Sequence, residues 1–101
     1  MTENTRSTVI WTKASMNHAI NIRRYLKENF SDTEVNSFFE LLNAFEEAIS
    51  YFPKLYPTSR QKTRIRRAVI SRELSAFYRI RKNQIEVLAL IDNRCDLAKW
   101  L

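Results

Sequence analysis

The sequence predicts an α+β domain: a two-helix hairpin packed on one face of a four-stranded, mainly antiparallel sheet, in the order β-α-α-β-β-β. Three observations carry that prediction. A β-branched and aromatic run, Thr8-Val9-Ile10-Trp11-Thr12, lies near the start; two segments with helical apolar spacing fill residues 13–52; and three strand-like runs occupy residues 64–91. Val, Ile, Thr and aromatic side chains favour pleated backbone, whereas recurrence at three and four residues marks one face of a helix. With 101 residues the chain suits one domain, 1–101, with a single core.

Residues 1–6 are polar and expected to be flexible. After the first strand, His18, Ile22, Tyr25 and Leu26 form one stripe of a helix over residues 13–29, with Ala14 a turn earlier. His18 on that stripe reads as a core residue rather than a catalyst. Ser31-Asp32-Thr33-Glu34 matches a capping box, in which Ser31 caps the next helix and Glu34 reaches back to the Ser31 amide. The second helix buries Val35, Phe38, Phe39, Leu42, Phe45, Ile49 and Phe52 and shows solvent Asn36, Glu40, Asn43, Glu47 and Ser50. Pro53 stops it, because the residue before proline avoids helical backbone.

Residues 54–63 form a loop with Pro57 and several cations, followed by a strand over residues 64–71. In the next strand Ala76, Tyr78 and Ile80 alternate with Phe77, Arg79 and Arg81. Tyr78, grouped with Ala76 and Ile80, reads as core. Lys82-Asn83 then makes a two-residue hairpin loop, with Asn the residue suited to positive φ. The last strand, residues 84–91, is apolar in both alternating sets: Ile85, Val87, Ala89 and Ile91 in one, Leu88 and Leu90 in the other. That pattern predicts a mid-sheet strand buried on both faces. Residues 96–101 suit a short helical turn capped by Asp96.

Composition narrows the chemistry. The absence of glycine excludes both glycine-rich phosphate cradles, whose backbone tolerates no Cβ. No His/Cys/Asp/Glu cluster has metal-ligand spacing, so neither metal nor cofactor is expected. Cys95 next to Arg94 has no nearby histidine in sequence to form a Cys–His dyad with. A single cysteine, no apolar run of ~20 residues and a polar N-terminus predict a soluble cytoplasmic protein that does not enter a membrane.

Charge is concentrated rather than spread. Residues 54–82 carry ten Lys/Arg against Glu73 alone, net +9 within a chain whose total is +6. Such density on strands points to an anionic partner, nucleic acid or an acidic protein segment. The alternative is a solvated face that maintains solubility. The candidate anion- or partner-binding residues are Lys62, Arg64, Arg66, Arg67, Arg79, Arg81, Lys82 and Arg94. Asp92 and Arg94 also have the spacing to pair with each other.

Three residue sets follow one another along the chain: Val9-Ile10-Trp11-Thr12 with Ala14, Ile22 and Tyr25-Leu26; Phe52-Pro53 with Leu55-Tyr56-Pro57; and Phe77-Tyr78-Arg79-Ile80 with Ile85 and Ile91-Asp92-Asn93-Arg94. With the element order, they resemble the opening, the helix-to-sheet junction and the closing hairpin of the RelE/ParE superfamily of toxins from type II toxin–antitoxin modules, along nearly the whole chain. The resemblance implies a bacterial growth inhibitor held in a hetero-oligomer by a cognate antitoxin, whose acidic or amphipathic segment wraps the toxin. RelE-like relatives cleave messenger RNA in the ribosome; ParE-like relatives poison DNA gyrase. Arg94 resembles the family's downstream arginine and Arg66 stands in for one of its basic residues; the candidate set for a nuclease is Arg66, Arg79, Arg81 and Arg94. The family's strand-opening Tyr-Arg pair is replaced by Leu74-Ser75, however, and Trp100 stands where the nucleases carry a C-terminal tyrosine. Indole cannot both donate and accept a proton. The resemblance therefore favours a ParE-like toxin acting on gyrase by binding, with a ribosome-dependent mRNA interferase second and a non-toxic basic nucleic-acid-binding module third.

Overall fold

A computed structural model describes residues 6–95. The elements follow the predicted order: β1 (Thr8–Trp11), α1 (Lys13–Asn29), α2 (Asp32–Tyr51), β2 (Arg66–Val69), β3 (Leu74–Arg81) and β4 (Gln84–Asp92). The sheet runs β1-β4-β3-β2, with β1 parallel to β4 and the other two pairings antiparallel. β4 is thus interior, as predicted. The predicted turn over residues 96–101 lies outside the described residues, as does Trp100.

Both helices cover one face of the sheet. Ile22 and Leu26 of α1 and Phe38, Leu42, Phe45 and Ile49 of α2 meet Ala68, Leu74, Ala76, Tyr78, Ile85, Val87 and Leu90 in one core. Thr12 ends the first strand by capping α1: its hydroxyl accepts from Ser15 N at 3.2 Å and donates to Val87 O at 3.1 Å. The inward stripe of α1 starts at buried Ser15, with Ala14 exposed.

Several expectations are corrected. Ser31 is the N-cap of α2 but makes no side-chain capping bond, and Glu34 turns instead to Arg94. Ser50, assigned to the polar stripe, is buried, where its hydroxyl donates to Glu47 O and accepts from Arg6 Nε. Phe39 and Phe52, assigned to the apolar face, are exposed. The positive φ of the hairpin falls on Lys82, at 53°, rather than on Asn83.

The largest correction concerns β4. Phe77 pairs with Ala89 but Tyr78 with Val87, so the ladder passes over Leu88 in a β-bulge. The buried set therefore changes phase along the strand, Ile85 and Val87 before the bulge and Leu90 and Asp92 after it. What reads in sequence as burial on both faces is one buried face with a shift of register. Ala89 and Ile91 on the other face are only half-buried. Two residues beyond the bulge, Leu90 N donates to Nδ1 of His18 at 3.2 Å, tying α1 to the strand.

Candidate functional site

β2 stops short of its neighbour. Its register with β3 runs from Val69 opposite Ser75 to Arg66 opposite Tyr78, so Arg79, Ile80 and Arg81 pair with β4 but have no β2 partner. The chain before β2 folds along the outer side of that strand: Arg67 N donates to Pro57 O at 3.0 Å and Ser59 N to Ile65 O at 2.6 Å. The intervening loop, residues 60–64, forms one wall and the end of β3 the other wall of an open cleft of about 920 Å³.

Six cations line this cleft: Lys54, Lys62, Arg64, Arg66, Arg79 and Arg81, with no carboxylate among the described lining residues. Ile65 and Ile80 add an apolar component. Like charges gathered in a concavity raise the local positive potential well above that of a flat surface. Arg66 is anchored by a hydrogen bond from Nη1 to Tyr56 O at 2.7 Å. Arg79 Nε donates to Glu86 Oε1 at 2.6 Å, and Arg81 Nη1 stands 4.0 Å from Glu86 Oε2.

Five of the eight residues singled out in the sequence thus converge: Lys62, Arg64, Arg66, Arg79 and Arg81. Arg67, paired with Phe77, lines a separate hollow with Arg60, Val69 and Phe77. Lys82 lies at the hairpin tip in a hollow shared with Arg81 and Glu86. Arg94 lies apart. It grips Asp92 with two bonds, at 2.9 and 2.7 Å, contacts Glu34 at 2.9 Å, and stacks over Phe30 at 5.7 Å. Those contacts hold the end of β4 to the α1–α2 turn, the pairing that the Asp92–Arg94 spacing allowed.

Two contributors were not in the sequence set. Lys54 was one more charge in the basic block, with nothing to show that it would face the cleft. Glu86 sits directly across from Arg79 once Lys82-Asn83 is a two-residue loop, so the hairpin register contained that pairing. Tyr78 is core, as its alternation implies. It is fully buried, donates from its hydroxyl to Pro53 O at 2.7 Å, and has its pKa raised by burial.

A second surface feature lies between the helices. Trp11, Met16, Ala19, Ile20, Phe39 and Leu42 line a mostly apolar groove of about 300 Å³, with Met16, Ile20 and Phe39 exposed. Trp11 Nε1 donates to Glu46 Oε1 at 2.6 Å along its rim.

No family model matches the sequence, and no curated protein is similar to it in sequence. Solved structures are similar in backbone. The chromosomal ParDE toxin–antitoxin system of P. aeruginosa superposes with a TM-score of 0.73 at 11% identity, covering 87% of this chain and 97% of that one. This is the RelE/ParE toxin fold. A YoeB/ParE toxin from Agrobacterium tumefaciens shares it at a TM-score of 0.59 and 15% identity, over 84% of this chain and 96% of that one. A conserved hypothetical protein of Helicobacter pylori does so at 0.54 and 15%, over 87% and 96%. Identities this low speak for a common backbone, so the RelE/ParE architecture is shared while the side chains of the cleft are this chain's own.

Proposed function

We propose that the chain is the toxin of a bacterial type II toxin–antitoxin module, acting in the cytoplasm as a ParE-like inhibitor that binds DNA gyrase rather than cutting RNA. The observation that carries this reading is the six-cation cleft on a RelE/ParE backbone. It can hold an anionic surface, but its described lining contains no imidazole, carboxylate or phenol to take a proton from a ribose hydroxyl. Tyr78 is sealed in the core and Arg94 is engaged by two carboxylates away from the cleft. A cognate antitoxin neutralises the toxin by laying an amphipathic segment in the groove between the helices and an acidic one along the cleft.

The test is a supercoiling assay with purified gyrase. The expected result is inhibition that the Lys62→Glu/Arg64→Glu variant loses. No inhibition from a preparation that arrests growth overturns the reading. The convergence of Arg66, Arg79 and Arg81 on one cleft also favours, as second reading, an mRNA interferase that clamps RNA phosphates. Discrete cuts in translated messages by primer extension would establish that reading, and intact messages would end it.

A further inference from the structure

We propose that Glu86 is a built-in competitor for the basic cleft, limiting how tightly it holds an acidic partner segment. The proposal rests on the anion-binding reading of the cleft given above. Glu86 stands on β4 directly across from Arg79, on the sheet face away from the helices, and its two oxygens address Arg79 at 2.6 Å and Arg81 at 4.0 Å. These are the two cations that form the sheet wall of the cleft. Lys54, Lys62, Arg64 and Arg66 on the opposite side have no described carboxylate within salt-bridge distance. The cleft is therefore asymmetric, with one wall open to an anion and the other already answered.

The pair is weak enough to yield. The Arg79 and Glu86 side chains keep 41% and 21% of their surface in water, and ion pairs so placed are weakened by solvent. Orientation is not the main role of Glu86. The Arg79 backbone is already fixed by a strand paired to β4, and of its guanidinium only Nε is hydrogen-bonded to Glu86. An incoming carboxylate meets two effects of Glu86, competition for Arg79 and repulsion at short range. Removing its charge relieves both. The partner is an acidic peptide rather than a single-stranded nucleic acid because the described cleft lining has no aromatic ring on which bases stack. Arg79, Ile80 and Arg81, lacking a β2 partner, also leave strand edge beside the charges.

The experiment measures binding of a fluorescein-labelled oligoglutamate peptide to the full chain by anisotropy across a salt series, with an oligothymidylate of equal length in parallel. Glu86→Gln keeps the shape and removes the charge. It is expected to tighten peptide binding about two- to fivefold at low salt, the range set by one exposed ion pair, and to steepen the salt dependence. Glu86→Met repeats the test should the glutamine variant lose its fold. Lys62→Ala/Arg64→Ala is expected to weaken the same peptide. If that double variant binds like the parent, the cleft reading and this proposal both fall. If it weakens binding but Glu86→Gln leaves affinity unchanged or lower, the Glu86 proposal alone is overturned. If only the oligothymidylate responds to Glu86→Gln, the acidic-peptide assignment is overturned.

Discussion

At Asp92 the chain buries a carboxylate completely and answers it mainly with one side chain, Arg94, itself only 19% exposed. A buried charge is tolerable only when paired and hydrogen-bonded, and the guanidinium meets that need with the two-pronged geometry that suits carboxylates. Arg94 N adds a third bond to Asp92 Oδ1 at 2.9 Å. The hydrogen bond to Asp92 is also the main cause of the raised pKa of Arg94. Arg94→Ala leaves Asp92 buried without its counter-charge and is expected to cost about 3 kcal/mol, at the lower end of the range for breaking a buried pair, read as a lower midpoint in urea unfolding. Arg94→Lys keeps charge but not the fork and should fall between. Since Arg94 lies outside the cleft, the lysine variant, where folded, retains binding to the acidic peptide. A lysine variant of full stability that no longer binds would instead assign Arg94 to recognition.

Among elements, the seam between α1 and β4 depends on His18. Its Nδ1 accepts from Leu90 N just beyond the bulge, and an imidazolium has no lone pair to accept with. Burial lowers the His18 pKa below 6.5, so protons bind the unfolded chain more readily than the folded one. The stability contributed by the neutral ring is fully present above pH 6.5 and is lost as pH falls toward the folded-state value. His18→Asn, which offers an oxygen near the Nδ1 position and does not titrate, is expected to flatten the drop in thermal midpoint between pH 7 and 5. The β3–β4 hairpin holds the converse case, a residue poorly matched to its backbone. Lys82 takes a left-handed φ that costs a Cβ-bearing residue about 1 kcal/mol, so Lys82→Asn should raise stability by roughly half that or more, read as a higher midpoint in urea. The sequence made the hairpin, the helices and the central place of β4 legible because apolar periodicity reports packing directly. The bulge at Leu88 was hidden because Val87, Leu88, Ala89 and Leu90 are all apolar, and a phase shift leaves no mark in a run without polar residues. The cleft was half legible for a related reason. Charge density announced a partner, but which arginines converge depended on β2 ending at Arg66, and Arg64-Ile65-Arg66-Arg67 contains nothing that stops a strand.

The molecule as a whole presents two unlike surfaces at different places: a cationic cleft formed by β3 and the loop before β2, and an apolar groove between α1 and α2. The proposed function gives the cleft to the target and to the antitoxin's acidic segment and the groove to the antitoxin alone, and mutation can separate these. Reversing two loop charges, Lys62→Glu/Arg64→Glu, changes the cleft by four units, and both residues are exposed, so little stability is at stake. That variant should lose growth arrest and gyrase inhibition and bind antitoxin more weakly than the parent, through the groove alone. Ile20→Glu places a charge in the groove at a residue 54% exposed in the free chain, so its effect falls on whatever segment buries Ile20. It should weaken antitoxin capture at least tenfold, about 1.4 kcal/mol, while purified toxin inhibits its target as before. A strain carrying Ile20→Glu with a normal dose of antitoxin would then stop growing, and a strain with both changes would grow. Growth of the Ile20→Glu strain, with the protein folded and abundant, would show that the groove is not where neutralisation occurs. The charged cleft alone would then hold the antitoxin, and target and antitoxin could no longer bind at once.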